Sequence, residues 1–436
     1  MKFKITLLFA LTFCFQMVNA QWTTANLSSG RSTMGAAAAN GRAVFAGGIG
    51  NISIPPAAYD MYNSNTNAWT NGSTSLGRSK VAGASTGNWM MFAGGANDWI
   101  LSEYNCVDRY NALTGAWSNS NSLSMARAEI AGAGSLNKMV FAGGQSGMGQ
   151  QFYNTVDIYD TASQAWSTST LSVARAGIGA VACNGKIFFA GGHDASNYYN
   201  TIDIYDVATG TWSTAALSVA RSGVSAVALG SKVYFAGGLS STNAVSKVID
   251  IYDMNSGLWA VDSLSQARQM LAGGAVMSKL IFAGGCNASA TTGYTTVDIY
   301  DTLTGLWTTS ALSSISFGGA SAVVGNKFLV AGGFTSSGMA NATVHIYTAT
   351  ASGLIEENPK LFSVFPNPTS GIFNVKVNQA GTIKVLDMSG KVVLDREVDA
   401  SEDNIQIDLS KNGIGLFLIR FTNQLNQESL VKIIVE

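Results

Sequence analysis

A pair of glycines closes an apolar run seven times in this chain, at Gly47-Gly48, Gly94-Gly95, Gly143-Gly144, Gly191-Gly192, Gly237-Gly238, Gly284-Gly285 and Gly332-Gly333. The intervals are 47, 49, 48, 46, 47 and 48 residues. Two aromatic series keep the same phase: Tyr62, Tyr110, Tyr159, Tyr205, Tyr252, Tyr300 and Tyr347, and Trp22, Trp69, Trp117, Trp166, Trp212, Trp259 and Trp307. A period of this length marks units that cannot bury an apolar face alone and must pack against their neighbours.

One unit shows what is repeated. Residues 176–182 read as a strand of small side chains, and Asn184-Gly185 as a tight hairpin turn of the kind that needs positive φ. Lys186–Ala190 is an apolar strand ending in the glycine pair, followed by a variable segment, 193–200. Thr201–Asp206 alternates as a strand, and Thr209-Gly210 turns the chain into a last strand carrying Trp212. Four short antiparallel strands make one propeller blade. The first strands would crowd a central axis, which suits their Ala and Gly; Tyr and Trp would supply flat surfaces between sheets.

The phase of the series sets the closure. Tyr347 has no Trp after it, and Trp22 has no glycine pair before it. The run Gln21-Trp22-Thr23-Thr24 leading to Leu27 and Arg31 matches Thr211-Trp212-Ser213-Thr214 leading to Leu217 and Arg221. The expected fold is all-β, a seven-bladed ring in which residues at the start of the chain supply the outer strand of the last blade. Such a clasp leaves no open edge at the seam.

These residues resemble the Kelch repeat: a glycine pair after an apolar strand, a spaced Tyr and Trp, and an Arg ahead of the first strand, over about residues 21–350. The pair is preceded by Phe-Ala in six units and Val-Ala in the seventh. The resemblance implies a β-propeller, a scaffold used mostly for binding and in some members for catalysis, so the fold alone does not assign an activity.

Composition shifts near Ser352. Residues 21–353 hold 15 basic and 15 acidic side chains, whereas the 83 residues 354–436 hold 8 and 11. Residues 351–360, with Glu356-Glu357-Asn358, read as a linker. Beyond it, 361–436 alternates as strands joined by polar turns, a small Ig-like β-sandwich. Pro366-Asn367-Pro368 with Gly371, the Asp387-Met388-Ser389-Gly390 turn and the terminal strand at Lys432 resemble the C-terminal sorting domain of the type IX secretion system of Bacteroidota. That resemblance implies the type IX machinery as a partner and a secreted or surface-attached product. The other end of the chain fits this route: Lys2 and Lys4 precede an apolar run over 5–15, and Val18-Asn19-Ala20 offers a signal-peptidase site, so residues 1–20 read as a secretory signal peptide. The run is about half the ~20 residues a spanning helix needs, and no transmembrane segment is expected.

Charge and rare residues limit the chemistry. A net charge of −1 with 12% charged residues argues against nucleic-acid binding, which needs a basic patch. The two histidines, His193 and His345, fall in different units, and Cys106, Cys183 and Cys286 match no metal spacing, so no metal or cofactor is expected and the thiols are expected to be free and buried.

Antiparallel strands place the loops between strands two and three on the same face as the connections between blades. These variable loops carry the candidate ligand-binding residues Trp99, Tyr104, Phe152, Tyr153, His193, Asp194, Tyr198, Tyr199 and Tyr294. Aromatic faces beside amides and carboxylates suit a glycan or a protein surface. Arg31, Arg78, Arg127, Arg175, Arg221 and Arg268 precede the first strands on that face, with Ser316 in the seventh place. A ring of guanidinium groups at the channel mouth would hold an anion such as an acidic sugar; the structural alternative, favoured here, is that each Arg ties one blade's backbone to the next. The recurring Asp108, Asp157, Asp203, Asp250 and Asp298 read as their partners, too widely spread to form a glycosidase pair. The expected function is that of a secreted or surface binding protein. The alternatives are a carbohydrate-active lyase, epimerase or hydrolase, which would show titratable groups clustered at the channel mouth, and a structural or adhesive surface protein.

Overall fold

The computed structural model describes residues 22–349, apart from 52–53, 98, 121, 148 and 241–243, and residues 362–436, apart from 378, 388–390, 400–401, 403 and 425–427. The signal peptide read in 1–20, the linker 351–360 and residues 388–390 of the Asp387 turn lie outside the described residues. The chain divides into two compact units, 1–350 and 351–436.

The first unit contains seven four-stranded antiparallel sheets among its described residues. In the fourth, Gly179–Cys183, Lys186–Ala190, Thr201–Asp206 and Thr211–Ala216 pair in chain order. Asn184 and Gly185 both have positive φ, 45° and 80°, as a two-residue hairpin that follows the strand twist demands. The first strand starts at Gly179 rather than at Ala176, because Gly177 turns the chain at φ +64°. Each Tyr of the third strand faces the Trp of the fourth in register, as Tyr205 faces Trp212 at 4.9 Å between ring centroids.

The last blade joins Ala320–Val324, Lys327–Ala331 and Thr343–Thr348 to Trp22–Asn26. Trp22 pairs with Tyr347, their rings 5.3 Å apart, and Asn26 pairs with Thr343. The connection that follows repeats the internal ones: the Leu27 amide donates to the Ala342 carbonyl at 2.8 Å, as Leu217 does to Asn200 at 2.7 Å. The start of the described chain therefore supplies the missing outer strand.

The glycine pair explains how one sheet holds the next. The second glycine of each pair donates its N–H to the carbonyl of the residue at the arginine position of the following blade, from Gly48 to Arg78 at 2.8 Å through Gly192 to Arg221 at 3.0 Å. The last link runs from Gly333 back to Arg31 at 2.9 Å and completes the circle. The first glycine lies so close to the same carbonyl that an added Cβ would stand 2.3 Å from it at Gly191 and 2.1 Å at Gly332. Only a residue without Cβ permits that approach. Apolar clusters fill the wedge between neighbouring sheets, including the seam, where Leu329 and Ile346 of the last blade meet Ala43 and Phe45 of the first. Cys183 and Cys286 are buried free thiols, and Cys106 is free and half-buried.

The second unit is a sandwich of a three-stranded sheet, Phe362–Phe365, Ile372–Val377 and Asn404–Asp408, and a four-stranded sheet, Val392–Val398, Gly381–Leu386, Gly415–Asn423 and Glu428–Val435. Phe373, Val375 and Ile407 from one sheet and Ile383, Ile419 and Ile433 from the other share one core. The proline-rich turn fastens the last strand: Asn367 Nδ2 donates to the Lys432 carbonyl at 2.6 Å, and its Oδ1 accepts the Ile434 amide at 3.0 Å. The Thr369 amide adds a bond to the Ile434 carbonyl at 2.8 Å.

Candidate functional site: the loop face of the propeller

Backbone pairing fixes which loops share a face. In every blade the residue after the glycine pair bridges to the residue after the arginine position: Ser32 to Ile49, Ser79 to Ala96, Ala128 to Gln145, Ala176 to His193, Ser222 to Leu239, Gln269 to Cys286 and Phe317 to Phe334. Each variable loop thus folds back on the connection entering its own blade.

The six arginines are buried beneath this face, each side chain no more than 1% exposed. Arg175 pairs with Asp203 at 2.8 Å, and its Nε and Nη2 donate to the carbonyls of Gly191 and Phe189 at 2.7 and 3.1 Å. Arg78–Asp108, Arg127–Asp157 and Arg268–Asp298 repeat the pair at 2.8, 2.6 and 2.7 Å; Arg31–Asp60 and Arg221–Asp250 do the same. The second carboxylate oxygen accepts the amide of the incoming connection, as Asp203 accepts from Ser172 at 3.1 Å and Asp157 from Ser124 at 2.9 Å. Burial pulls the Arg175 guanidinium below its ordinary value, opposed by the charge and hydrogen bond of Asp203. These charges are spent inside the blade, out of reach of a ligand. The tie to the neighbouring blade is made by the arginine's backbone carbonyl, while its side chain braces its own blade; the channel-mouth placement of the guanidinium groups is corrected accordingly.

The seventh blade replaces the ion pair with neutral groups. Ser316 Oγ donates to the Gly332 carbonyl at 2.7 Å, and His345 lies between the hydroxyls of Ser313 and Ser314, each 3.3 Å from a ring nitrogen. Burial lowers the His345 pKa to about 4, which keeps the ring uncharged at neutral pH.

A different set of residues surrounds the mouth. Two positions after each arginine site the backbone is left-handed: Thr33, Lys80, Glu129, Gly177, Gly223, Met270 and Gly318 all have φ between 52° and 64°. Their amides reach round the axis to the preceding blade, Thr33 to Gly318 at 2.9 Å, Lys80 to Thr33 at 2.9 Å, Gly223 to Gly177 at 2.8 Å and Gly318 to Met270 at 3.1 Å. Sequence reasoning misses this collar because only three of its members are glycine; the available signal was the constant offset from the arginine. Lys80 and Glu129 pair at 3.5 Å. Just inside lies a cavity of about 370 Å³ lined by Met34, Val81, Ile130, Ile178 and the first residues of the inner strands, with no titratable side chain in the lining.

The candidate ligand residues fall into three groups. Tyr104, Tyr153, Tyr199 and Tyr294 occupy one blade position; their amides donate to the second glycine of their own pair at 2.8, 3.0, 2.9 and 2.8 Å. Their rings are half-buried, and the Tyr153 hydroxyl meets Ser146 Oγ at 2.8 Å. Trp99 is 64% exposed, beside Ile100 at 58% and Leu101 at 62%, at the tip of the blade-two arm. Phe152, His193 and Tyr198 come together from blades three and four, with ring centroids 5.7 Å apart for Phe152–His193 and 6.0 Å for His193–Tyr198. Next to them the Tyr199 hydroxyl donates to Asp194, which also accepts the Ser196 and Asn197 amides at 2.8 and 2.7 Å. The Tyr199 hydrogen bond, with these amides, draws the Asp194 pKa down to about 2. Among the described residues no three His, Cys, Asp or Glu side chains converge as a metal site would need.

Comparison with known proteins agrees with this geometry. A family model described as the Kelch motif matches residues 174–216, the fourth blade, and one described as the secretion system C-terminal sorting domain matches 363–436. The chain carries a Kelch motif in its propeller and a secretion sorting domain after it. The solved structure of YjhT is similar in fold, with a TM-score of 0.51 at 16% identity, covering 63% of this chain and 95% of that one. In all, 714 solved chains match, so likeness of fold does not choose among activities. A search of curated proteins finds no matching relative. The sorting domain thus marks a secreted protein, destined for the cell surface or the medium, that presents a propeller.

Proposed function

We propose that this is a surface binding protein whose loop face recognises a glycan or protein ligand, exported by the type IX machinery of a Bacteroidota cell. The observation that carries the reading is the contrast on one face. The variable arms hold the exposed Trp99 and the ring group of Phe152, His193 and Tyr198, while the cavity at the mouth is lined by small and apolar residues with no titratable side chain. Aromatic and amide groups around a cavity without a titratable lining serve recognition better than proton transfer. The sorting tail, with its last strand fastened through Asn367, is the address.

A glycan array and a surface-protein panel probed with the purified protein test the reading. Saturable binding that falls in Trp99→Ala or Tyr199→Ala at unchanged melting temperature supports it; no ligand from either class refutes it. Removal of residues 360–436 should strand the protein in the periplasm, and continued surface display would overturn the export assignment.

A further inference from the structure

We infer that the sector of the loop face shared by blades three and four is a subsite for a neutral sugar, which stacks on Phe152, His193 and Tyr198 and reaches past Gly177 toward the mouth cavity. The inference rests on the binding reading and narrows it to one place and one ligand chemistry. Three observations converge there.

The first is the wall of rings: Phe152 from one blade lies 5.7 Å from His193 of the next, and His193 lies 6.0 Å from Tyr198 of its own blade. The second is His193 itself. Neither ring nitrogen hydrogen-bonds to another described residue; Nδ1 is buried without a partner, and a Cβ added at Gly177 would stand 2.9 Å from it. With Nδ1 turned onto Gly177, Nε2 is the nitrogen left to meet a hydroxyl. The third is a gap in the collar. Blades one to three carry Thr33, Lys80 and Glu129 there, whereas blades four and five carry Gly177 and Gly223, and a Cβ built on Gly223 meets nothing within 4 Å. The gap lies beside the ring wall, and Ile178, next to Gly177, lines the cavity of about 370 Å³. That volume is at the small end of the ~300–1,000 Å³ of small-molecule sites.

Charge decides the chemical class. The blade arginines are paired and buried, Lys80 is paired with Glu129, and Asp194 is held by its own loop. Among the described residues these charged groups are each already engaged and do not reward an anion, so the ligand is uncharged and held by ring faces and hydroxyl hydrogen bonds.

Titration calorimetry on the purified full chain, with cellobiose, lactose and mannobiose against digalacturonate, tests this. The variants are Phe152→Ala, Tyr198→Ala and Gly223→Met; the last fills the gap with the side chain that blade six already carries at Met270 in the same left-handed conformation. The expected result is binding of at least one neutral disaccharide, not of digalacturonate, weakened tenfold or more in all three variants, at unchanged melting temperature in Phe152→Ala and Tyr198→Ala and with only the small loss of stability that its left-handed backbone imposes in Gly223→Met. Preference for digalacturonate, absence of binding by every saccharide, or neutral binding untouched by the three variants would overturn the inference. If ligand binding on the array or the protein panel persists in these variants and fails in Trp99→Ala, the binding reading survives and this subsite does not.

Discussion

Replacing Gly191 with alanine tests how the ring is held together, because Gly210 provides an internal control. Both glycines have positive φ, 65° and 72°. Both substitutions therefore carry the same left-handed backbone penalty of about 1–2 kcal/mol, partly offset by the stiffer unfolded chain. They differ in surroundings. A Cβ on Gly210 finds only the Tyr205 hydroxyl, at 4.0 Å, while a Cβ on Gly191 stands 2.3 Å from the Arg221 carbonyl oxygen and 3.3 Å from Val224. Relief requires that carbonyl to retreat by about 1 Å, and it already accepts the Gly192 amide at 3.0 Å. Losing the bond leaves a buried donor unpaired, at about 1–3 kcal/mol, and overpacking adds about 1–3 kcal/mol. Gly191→Ala should therefore be less stable than Gly210→Ala by about 3 kcal/mol, or about 4 °C in melting temperature for a unit of this size. Thermal melts followed by tryptophan fluorescence read this directly. Equal melting temperatures for the two variants would refute the claim that the first glycine exists to admit the next blade's carbonyl.

Three further outcomes follow from the same geometry. Asp203→Asn keeps an acceptor for Ser172 but leaves Arg175 buried without a counter-charge; it should lose about 3–5 kcal/mol in urea titration, and a loss below ~1 kcal/mol would make the pair ornamental. His345 has its pKa lowered to about 4, below the ordinary histidine value, so the unfolded chain takes its proton first as pH falls; the native state should lose roughly 3 kcal/mol between about pH 6.5 and 4 that His345→Gln does not lose, and parallel pH profiles for the two proteins would contradict this. Asn367→Ala should weaken the second unit by about 1–2 kcal/mol through its two bonds to the last strand, seen as faster amide exchange over Glu428–Val435; unchanged exchange there would count against the clamp.

What the sequence revealed and what it hid divide along the repeat. The glycine pairs, the Tyr–Trp series and the displaced Trp22 were readable because each serves the same contact in every blade, so chemistry recurs at a fixed spacing. The Arg–Asp pairs were visible for the same reason, but which end of the arginine bridges the blades was not: the bridging atom is a carbonyl that every residue possesses, as Ser316 shows by accepting the Gly285 amide at 3.0 Å. The collar was hidden because Thr33, Lys80, Glu129 and Met270 share a backbone conformation and no side-chain property. The grouping of Phe152 with His193 and Tyr198 was hidden because it arises between loops of different blades, where nothing repeats.

Amide hydrogen exchange over Thr343–Thr348 tests the closed ring most directly. In the intact protein this strand lies between Lys327–Ala331 and Trp22–Asn26. Its amides should be protected to the same degree as those of Thr201–Asp206 in the fourth blade, and removal of residues 21–26 should abolish the excess protection at 343–348 first. Fast exchange there in the intact protein, or protection that survives the truncation, would contradict the account.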